Sequence, residues 1–230
     1  LLGHVRDMGL TTADPNVRIY QTRERQQYHT DTCDIVALLC LQTAARGGLS
    51  AIVSSMTIYN ELRRREPELA ALLFDAFPTD RRGEIPAGEK PYYMIPVYHY
   101  YHGFLSAIYS RSYINSAQRN HAAAPRLSAS HIAALDSFDA LANDPALNFE
   151  MAFEPGDVQL LHNHTILRDR TAFQDHPEPA RKRHMLRLWL AAPDARPLPD
   201  AYAQCYGSVE IGTRGGITVP GAKLNAPLYA

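Results

Sequence analysis

The sequence predicts a mainly β fold, a distorted barrel or jelly roll with inserted α-helices. Strand-like segments lie toward both ends of the chain, whereas apolar residues at helical spacing are concentrated in the middle. Strand-rich ends around a helical insertion are typical of this architecture. At 230 residues, one unit of jelly-roll size can account for the whole chain, so we predict a single domain over residues 1–230.

The first half of the chain predicts two strands followed by two helices. Residues 35–41 are a short continuous apolar run, which predicts a strand buried on both faces. Gly47-Gly48 then predicts a turn into a second strand over residues 51–55. From Thr57 onward the apolar residues recur at helical spacing. Pro67 predicts the start of a second helix, because proline is favoured at the first helical position.

The second half predicts a hairpin, one helix and two further strands. Residues 91–110 are rich in aromatic and β-branched residues, with a turn predicted at His102-Gly103. Ser128 predicts the N-terminal cap of a helix whose apolar residues share one face. After a Pro-Gly-Asp turn, residues 158–167 predict one continuous strand, and residues 185–191 predict another.

Composition and charge exclude several classes of function. The formal net charge of −1 gives no electrostatic basis for binding nucleic acid or an anionic membrane. No apolar stretch approaches the ~18 residues of a membrane-spanning helix. Cys33, Cys40 and Cys205 are odd in number and form no CxxC pair, which argues against disulfides and against a cysteine zinc site. We therefore expect a cytoplasmic protein that acts on a small molecule, and the sequence leaves its oligomeric state open.

The first segment with chemical meaning is Tyr28-His29-Thr30-Asp31. Residues i and i+2 of a strand point to the same side, so His29 and Asp31 would present an imidazole and a carboxylate next to each other. Such a pair supplies two ligands of the facial triad that holds non-haem Fe(II) and leaves positions open for oxygen and a co-substrate. On its own the tripeptide is a weak signal, because surface polar residues often produce it.

Two later segments carry groups suited to binding a carboxylate. Gly47-Gly48 is followed by Ser50, and Arg183 is followed by Arg187 near the end of the chain. The planar guanidinium of an arginine donates two parallel charge-assisted hydrogen bonds to a carboxylate, and a serine hydroxyl can add another. These residues are therefore suited to an organic acid such as 2-oxoglutarate.

Taken in order, the segments resemble the TauD/TfdA family of Fe(II)/2-oxoglutarate-dependent dioxygenases. They run from about Val17 to Leu190 and comprise HTD, GG-x-[ST], PGD before an apolar strand with asparagine, an HxR-like segment and RxxxR. The resemblance implies a double-stranded β-helix, which is a cupin-like jelly roll, with inserted α-helices. It also implies Fe(II), 2-oxoglutarate and O2, oxidation of a small molecule (usually its hydroxylation), and an N-terminal portion before the present first residue.

Carried over position by position, the resemblance implies a role for each residue of the site. His29 and Asp31 match the first two iron ligands, and Ser50 and Arg183 match the residues that hold 2-oxoglutarate. Arg187 matches a position that contacts an anionic substrate in some members. We therefore expect an anionic or amino-acid-like substrate.

The third iron ligand departs from the family pattern. The family has a histidine two residues before the arginine of its HxR segment. Arg170 fits that arginine, so Arg168 stands at the histidine position. An arginine stays protonated and cannot ligate iron. Three interpretations remain open: an impaired or inactive member, an active variant, and a site in which His164 or His162 replaces the ligand. His164 shares strand parity with Arg168, which makes it the better candidate.

Two other classes of protein fit part of the pattern. A non-catalytic member of the fold would bind 2-oxoglutarate or another carboxylate through Arg183 without turnover. A zinc hydrolase could use His29, Asp31 and His164 as ligands, but the two arginines of the RxxxR segment would then have no role. Assembly of an iron–2-oxoglutarate complex separates the dioxygenase from the non-catalytic member.

Overall fold

The computed structural model of the chain describes residues 2–12 and 17–216. In chain order its strands are β1 Gly3–Val5, β2 Gln26–His29, β3 Ile35–Gln42, β4 Arg46–Gly47, β5 Ser50–Ser54, β6 Ala76–Asp80, β7 Tyr92–Pro96, β8 Tyr98–Tyr101, β9 Phe104–Ala107, β10 Asn148–Met151, β11 Val158–His162, β12 Ile166–Arg170, β13 Phe173–Gln174 and β14 His184–Leu190. The helices are α1 Ser55–Arg65, α2 Pro67–Leu72, α3 Arg111–Asn120, α4 Ala129–Ala142 and α5 Ala203–Tyr206. Among the described residues, no helix is both long enough and apolar enough to span a membrane.

Two antiparallel four-stranded sheets form the framework. The first has the strand order β1-β14-β3-β11, and the second has the order β10-β5-β12-β2. Strands that are distant in the sequence are neighbours in both sheets, as in a jelly roll. Side chains from both sheets line one cavity, so the sheets face each other across it.

The second sheet separates this cavity from the main hydrophobic core. Alternate side chains of a strand point to opposite sides. In β12, Leu167 is fully buried in the core, whereas Arg168 and Arg170 line the cavity. Ile58 of α1 and Phe138 of α4 belong to the same core as Leu167 and are also fully buried. The inserted helices therefore cover the outer face of the sheet and leave its inner face to the site.

The shorter elements agree with the sequence-based prediction in most places. Ser54 caps α1, Pro67 is the first residue of α2, and Ser128 caps α4 by accepting a backbone hydrogen bond. β8 and β9 form the predicted hairpin, whose turn residues His102 and Gly103 have φ of 48° and 83°. A two-residue turn of this type needs positive φ at both positions. The hairpin covers only the second part of the aromatic segment, because β7 pairs with β6.

Two predictions about strands were wrong. β3 is not buried on both faces, because buried side chains alternate with partly exposed ones along it. Residues 158–167 are not one strand either, because a turn at Asn163-His164-Thr165 separates β11 from β12. Strand parity therefore does not relate His164 to Arg168, and the argument that they share a face does not hold.

Candidate active site

The candidate site lies between the two sheets, in a space that we name the inter-sheet cavity. It encloses about 30 Å³, and its volume is about 390 Å³ when the solvent-open mouth is included. Apolar side chains of the first sheet line one wall. The polar lining includes Gln26, His29, Ser50, Arg168, Arg170 and Arg183. His29, Ser50, Arg168 and Arg183, which come from separate segments of the sequence, therefore meet at one cavity.

A β-bulge in β2 turns two polar side chains toward the cavity. Arg168 and Arg170 of β12 pair with His29 and Gln26 of β2, so three residue steps in β2 match two steps in β12. The extra residue of a bulge shifts the alternation of side chains and re-aims them. Gln26 and His29 therefore both line the cavity, although Tyr28 between them is buried in the core.

His29 is held in one orientation by two hydrogen bonds. Its Nδ1–H donates to the backbone oxygen of Gln27 at 2.8 Å, and its Nε2 accepts from the side-chain amide of Gln26 at 2.9 Å. Burial, and then the charge of Arg168, lower the pKa of His29 to about 4. The imidazole is therefore neutral at pH 7, which is the protonation state in which a histidine can bind a metal.

Asp31 reaches His29 from the loop after β2 and not from the strand itself. Its Oδ1 lies 4.0 Å from His29 Nε2. Asn163 holds this loop, because its Oδ1 accepts from the Asp31 backbone N–H at 2.8 Å and its Nδ2 donates to the Cys33 oxygen at 2.8 Å. The imidazole and the carboxylate are thus side by side, although the loop and not strand alternation brings them together.

Arg168 contacts this pair directly. It is the register partner of His29, and its Nη2 donates to Asp31 Oδ2 in a buried ion pair. Trp189 Nε1 donates to the same oxygen at 2.8 Å. Burial opposes ionisation of Asp31, but the charges of Arg168 and Arg187 outweigh it and lower the pKa of Asp31 to about 2. At neutral pH the carboxylate is ionised, and Arg168 neutralises it.

The residues present do not complete an iron site. Within residues 2–12 and 17–216, no group of three His, Cys, Asp or Glu side chains could hold a metal ion. The Arg168 guanidinium remains charged and offers no lone pair. At ~4 Å its charge would cost about 4 kcal/mol per unit of metal charge at an effective dielectric constant of about 20. Iron would have to displace the Arg168–Asp31 ion pair and would still lack a ligand.

His164 does not supply that ligand in this structure. It is fully buried, and its Nε2 lies 2.8 Å from Asp34 Oδ1. Arg214 Nε donates to the same oxygen at 2.9 Å, so the three side chains form a buried network that does not line the inter-sheet cavity. His162 is exposed and also lies outside the cavity lining. The zinc site considered from the sequence is therefore not assembled in the described residues.

Arg183 enters the cavity beside the Gly47-Gly48 turn. Gly48 has φ of 71°, and a Cβ there would lie 3.1 Å from Arg183 Nε. A Cβ at Gly47, which also has φ of 71°, would lie 2.2 Å from a backbone oxygen. Glycine meets both demands, positive φ and close approach. Two residues later, the buried Ser50 hydroxyl is 3.3 Å from the Gln159 side chain and lines the same cavity.

Several guanidinium N–H groups in the cavity have no partner. In the described part of the chain these buried, unpaired nitrogens are Arg168 Nε, Arg170 Nε and Nη1, and Arg183 Nη1. The exposed fractions of Arg168, Arg170 and Arg183 are 8%, 7% and 5%. Buried donors without acceptors are costly, and a carboxylate would satisfy several of them at once. The cavity therefore fits an organic acid, although it does not fit iron.

Arg187 lies on the Asp31 side of the site. Its central guanidinium carbon is 4.4 Å from the centroid of the Trp189 ring and 5.0 Å from that of Tyr20. Arg187 helps to lower the pKa of Asp31 but does not line the inter-sheet cavity. The two arginines of the RxxxR segment thus serve different parts of the site.

Sequence reasoning missed three contributors to this arrangement. Gln26 gave no signal, because only the β-bulge turns it inward. Trp189 was given no role in the site, yet its indole N–H donates to Asp31. It shares strand parity with Arg187, and this relation could have revealed it. Arg170 was recognised only as part of a motif, although it lines the cavity.

Comparison with known proteins shows the family of this chain. The model of the family described as "Taurine catabolism dioxygenase TauD, TfdA family" matches residues 3–189. This chain belongs to the TauD/TfdA family. It is 36% identical over 200 residues to FR-33289 synthase of Streptomyces rubellomurinus (strain ATCC 31215), an alignment that covers 85% of this chain and 58% of that protein. The family predicted from the sequence is confirmed.

The TauD/TfdA chain is also similar to solved oxygenase structures. Asparagine oxygenase in complex with Fe(II), 2S,3S-3-hydroxyasparagine and succinate superposes with a TM-score of 0.61 at 15% identity, covering 82% of this chain and 56% of that one. The non-haem iron oxygenase OrfP, in complex with Fe and α-ketoglutaric acid, gives a TM-score of 0.58 at 13% identity and the same coverage. These likenesses confirm the predicted double-stranded β-helix. The chain spans little more than half the length of these relatives.

Proposed function

We propose that this TauD/TfdA chain has the architecture of an Fe(II)/2-oxoglutarate-dependent dioxygenase in which Arg168 leaves the iron site incomplete and turnover impaired. The observation that supports this is the buried ion pair between Arg168 and Asp31, opposite His29. Arg168 weakens metal binding in two ways, because it neutralises the ligand Asp31 and takes the position of the third ligand. The half of the site suited to an organic acid is intact.

The proposed roles follow the placement of each side chain. His29 and Asp31 are the two iron ligands that remain, and Ser50 and Arg183 hold 2-oxoglutarate in the inter-sheet cavity. Arg187, stacked on aromatic rings next to Asp31, binds the anionic group of the substrate. When bound together, iron, 2-oxoglutarate and O2 would supply the oxidising power for hydroxylation.

A small amino-acid-like or otherwise anionic molecule is the proposed substrate class. Arg187 offers a buried cation for its charged group. The structures similar to this chain include an asparagine oxygenase with hydroxyasparagine and an iron oxygenase with (3S)-hydroxy-L-Arg. Both bound compounds are hydroxylated amino acids, which favours hydroxylation over other oxidations.

Anaerobic addition of Fe(II) and 2-oxoglutarate tests the iron half of this proposal. An assembled centre produces a weak metal-to-ligand charge-transfer absorbance band. We expect no band for the wild-type chain and a clear band for Arg168→His, which restores an imidazole opposite His29 and releases Asp31. After admission of O2, Arg168→His should release succinate.

Arg168→Leu is the matched control, because it removes the charge and offers no atom that can ligate iron. We expect this variant to remain without the absorbance band and without succinate release. Succinate release by the wild-type chain at the rate of Arg168→His would contradict the proposed impairment. Absence of both signals from Arg168→His, if that variant is folded, would contradict the dioxygenase assignment itself.

A further inference from the structure

Arg170 is a buried cation to which the proposed function gives no role. It lines the inter-sheet cavity together with Arg168 and Arg183, and only 7% of its surface is exposed. Its Nη2 donates to the backbone oxygen of Glu24. Its Nε and Nη1 are buried and find no hydrogen-bond partner among the described residues.

Neither Arg170 nor Arg183 forms an ion pair with a carboxylate in the described ranges. Asp169 also lines the cavity, but its Oδ2 is paired with Arg25 at 2.7 Å. Burial, and then the charge of Arg183, lower the pKa of Arg170 to about 10. Two neighbouring buried cations that form no ion pair within the described ranges are unfavourable, and an anion in the cavity would relieve this.

Phe173 orients both guanidinium groups. Their central carbons lie 4.9 Å (Arg170) and 5.3 Å (Arg183) from the centroid of the Phe173 ring. A cation stacked on an aromatic face is fixed in position without using its N–H groups. The aromatic contact therefore leaves the unpaired N–H groups of the two arginines available to an anion in the cavity.

We propose that Arg170 joins Arg183 and Arg168 in a dicarboxylate-binding site that works without a metal. Arg170 and Arg183 bind one carboxylate of the ligand. Arg168, whose Nε is also unpaired, binds the other carboxylate. The inference rests on the proposed function, because that function supplies the class of ligand.

The size of the cavity is consistent with this arrangement. The enclosed 30 Å³ has room for about two water molecules, which is too little for a whole dicarboxylate. The open mouth provides the space for the rest of the ligand. A 2-oxo group next to a carboxylate is useful for chelating a metal, but without a metal it gains little here. The site should therefore select for two carboxylates and not for the oxo group.

Calorimetric titration of the wild-type chain in EDTA tests the inference, with 2-oxoglutarate, glutarate and acetate as ligands. We expect 2-oxoglutarate and glutarate to bind within about threefold of each other. Acetate should bind at least about tenfold more weakly, because it has no second carboxylate for Arg168 to bind. Sulfate binding as tightly as glutarate would show a general anion site and overturn the proposal.

Arg170→Met tests the residue itself. This variant should weaken both dicarboxylates by at least about tenfold. Without ligand it should be at least as stable as the wild-type chain, because the substitution removes an uncompensated buried charge. Arg196→Met is the control: Arg196 donates to the backbone oxygen of Leu105 and does not line the cavity, so the affinities should stay unchanged. A loss of stability in Arg170→Met with unchanged affinities would show a structural residue and overturn the inference.

The two proposals fail in different experiments. If 2-oxoglutarate does not bind in EDTA while Arg168→His gives the absorbance band and releases succinate, the metal-independent site is wrong and the proposed function stands. If dicarboxylates bind in EDTA and folded Arg168→His shows neither the absorbance band nor succinate release, the dioxygenase architecture is wrong and the metal-independent site stands.

Discussion

Arg168 and Asp31 form the buried ion pair of the inter-sheet cavity. Arg168 is tolerated because strand alternation directs it to a polar cavity while its neighbour Leu167 enters the core. The carboxylate of Asp31 neutralises the charge of Arg168, so the folded state is not destabilised by an isolated buried cation. A single side chain can thus change the chemistry of a site while the surrounding strands stay the same.

His99 is a second residue whose charge state matters, in this case for stability. It lies on β8, its ring is 4.8 Å from that of Tyr202, and both ring nitrogens are buried without a partner in the described part of the chain. Burial lowers the pKa of His99 to about 4. Below about pH 6.5, His99 binds a proton in the unfolded chain but stays neutral in the folded chain. The folded state therefore loses stability as the pH falls toward 4.

We predict that His99→Phe removes this acid sensitivity. Between pH 7 and pH 4 the free energy of unfolding of the wild-type chain should fall by on the order of 2 kcal/mol more than that of the variant, after allowance for partial exposure. Urea denaturation at several pH values measures the difference. His102→Asn, in the exposed turn of the same hairpin, should follow the wild-type curve. Parallel curves for His99→Phe and the wild-type chain would disprove the assignment.

At the scale of elements, the Gly47-Gly48 turn before β5 and the bulge in β2 both shape the cavity. The turn makes room for Arg183, and the bulge directs Gln26 and His29 inward. Both features are departures from regular strand geometry. Irregular backbone of this kind re-aims side chains where a site needs them.

We predict that Gly48→Ala displaces Arg183 and weakens 2-oxoglutarate binding by about tenfold, as expected for the loss of a charge-assisted hydrogen bond. The added Cβ would lie 3.1 Å from Arg183 Nε. Gly88→Ala is the matched control, since Gly88 also has positive φ (81°) but a Cβ there would meet nothing within 4 Å. Both variants should lose roughly 1 kcal/mol of stability, and only Gly48→Ala should lose affinity. Equal affinities in calorimetry would contradict the role of the turn.

Two adjacent leucines of β11 test which face of the first sheet points toward the interior. Leu161 is 7% exposed and Leu160 is 64% exposed. Leu161→Ala should lower the free energy of unfolding by roughly 2–4 kcal/mol, because it leaves a cavity in a packed interior. Leu160→Ala should change it by less than about 0.5 kcal/mol. Chemical denaturation of both variants measures this, and similar losses would mean that the inward face is wrongly assigned.

At the scale of the whole molecule, the last described segment is tied to the loop that carries Asp31. Arg214, of which 1% is exposed, donates to Asp34 at 2.9 Å, and the Tyr206 hydroxyl donates to the Cys33 oxygen at 3.2 Å. Burial opposes ionisation of Asp34, but hydrogen bonds from His164 and Arg214 outweigh it and keep the pKa of Asp34 below its usual value. The geometry of the site thus depends on residues far along the chain.

We predict that Arg214→Met lowers the free energy of unfolding by roughly 3–5 kcal/mol, because it leaves a buried carboxylate without its cation. Arg181→Met is the control: Arg181 forms an exposed pair with Glu178 at 3.8 Å, and its loss should cost less than about 0.5 kcal/mol. Thermal and urea unfolding measure both changes. A cost for Arg214→Met as small as that of the control would show that the buried network does not hold the segment.

The local motifs were readable from the sequence because each depends on neighbouring residues. Pro67 and Ser128 mark helix starts through their own backbone preferences, and His102-Gly103 marks a turn through its positive φ. The break at Asn163-His164-Thr165 was not readable, because it depends on hydrogen bonds to a loop about 130 residues away. Apolar periodicity carries no information on such partners.

By itself the sequence determined the family and the jelly-roll class and predicted that Arg168 stands at the third ligand position, since these follow from residue types in a fixed order. Only the tertiary structure decided that Arg168 pairs with Asp31, that His164 is held by Asp34, and that Arg170 enters the cavity without a carboxylate partner among the described residues. The reason is physical: the charge state and the free donors of a buried group depend on neighbours that folding brings from distant parts of the chain.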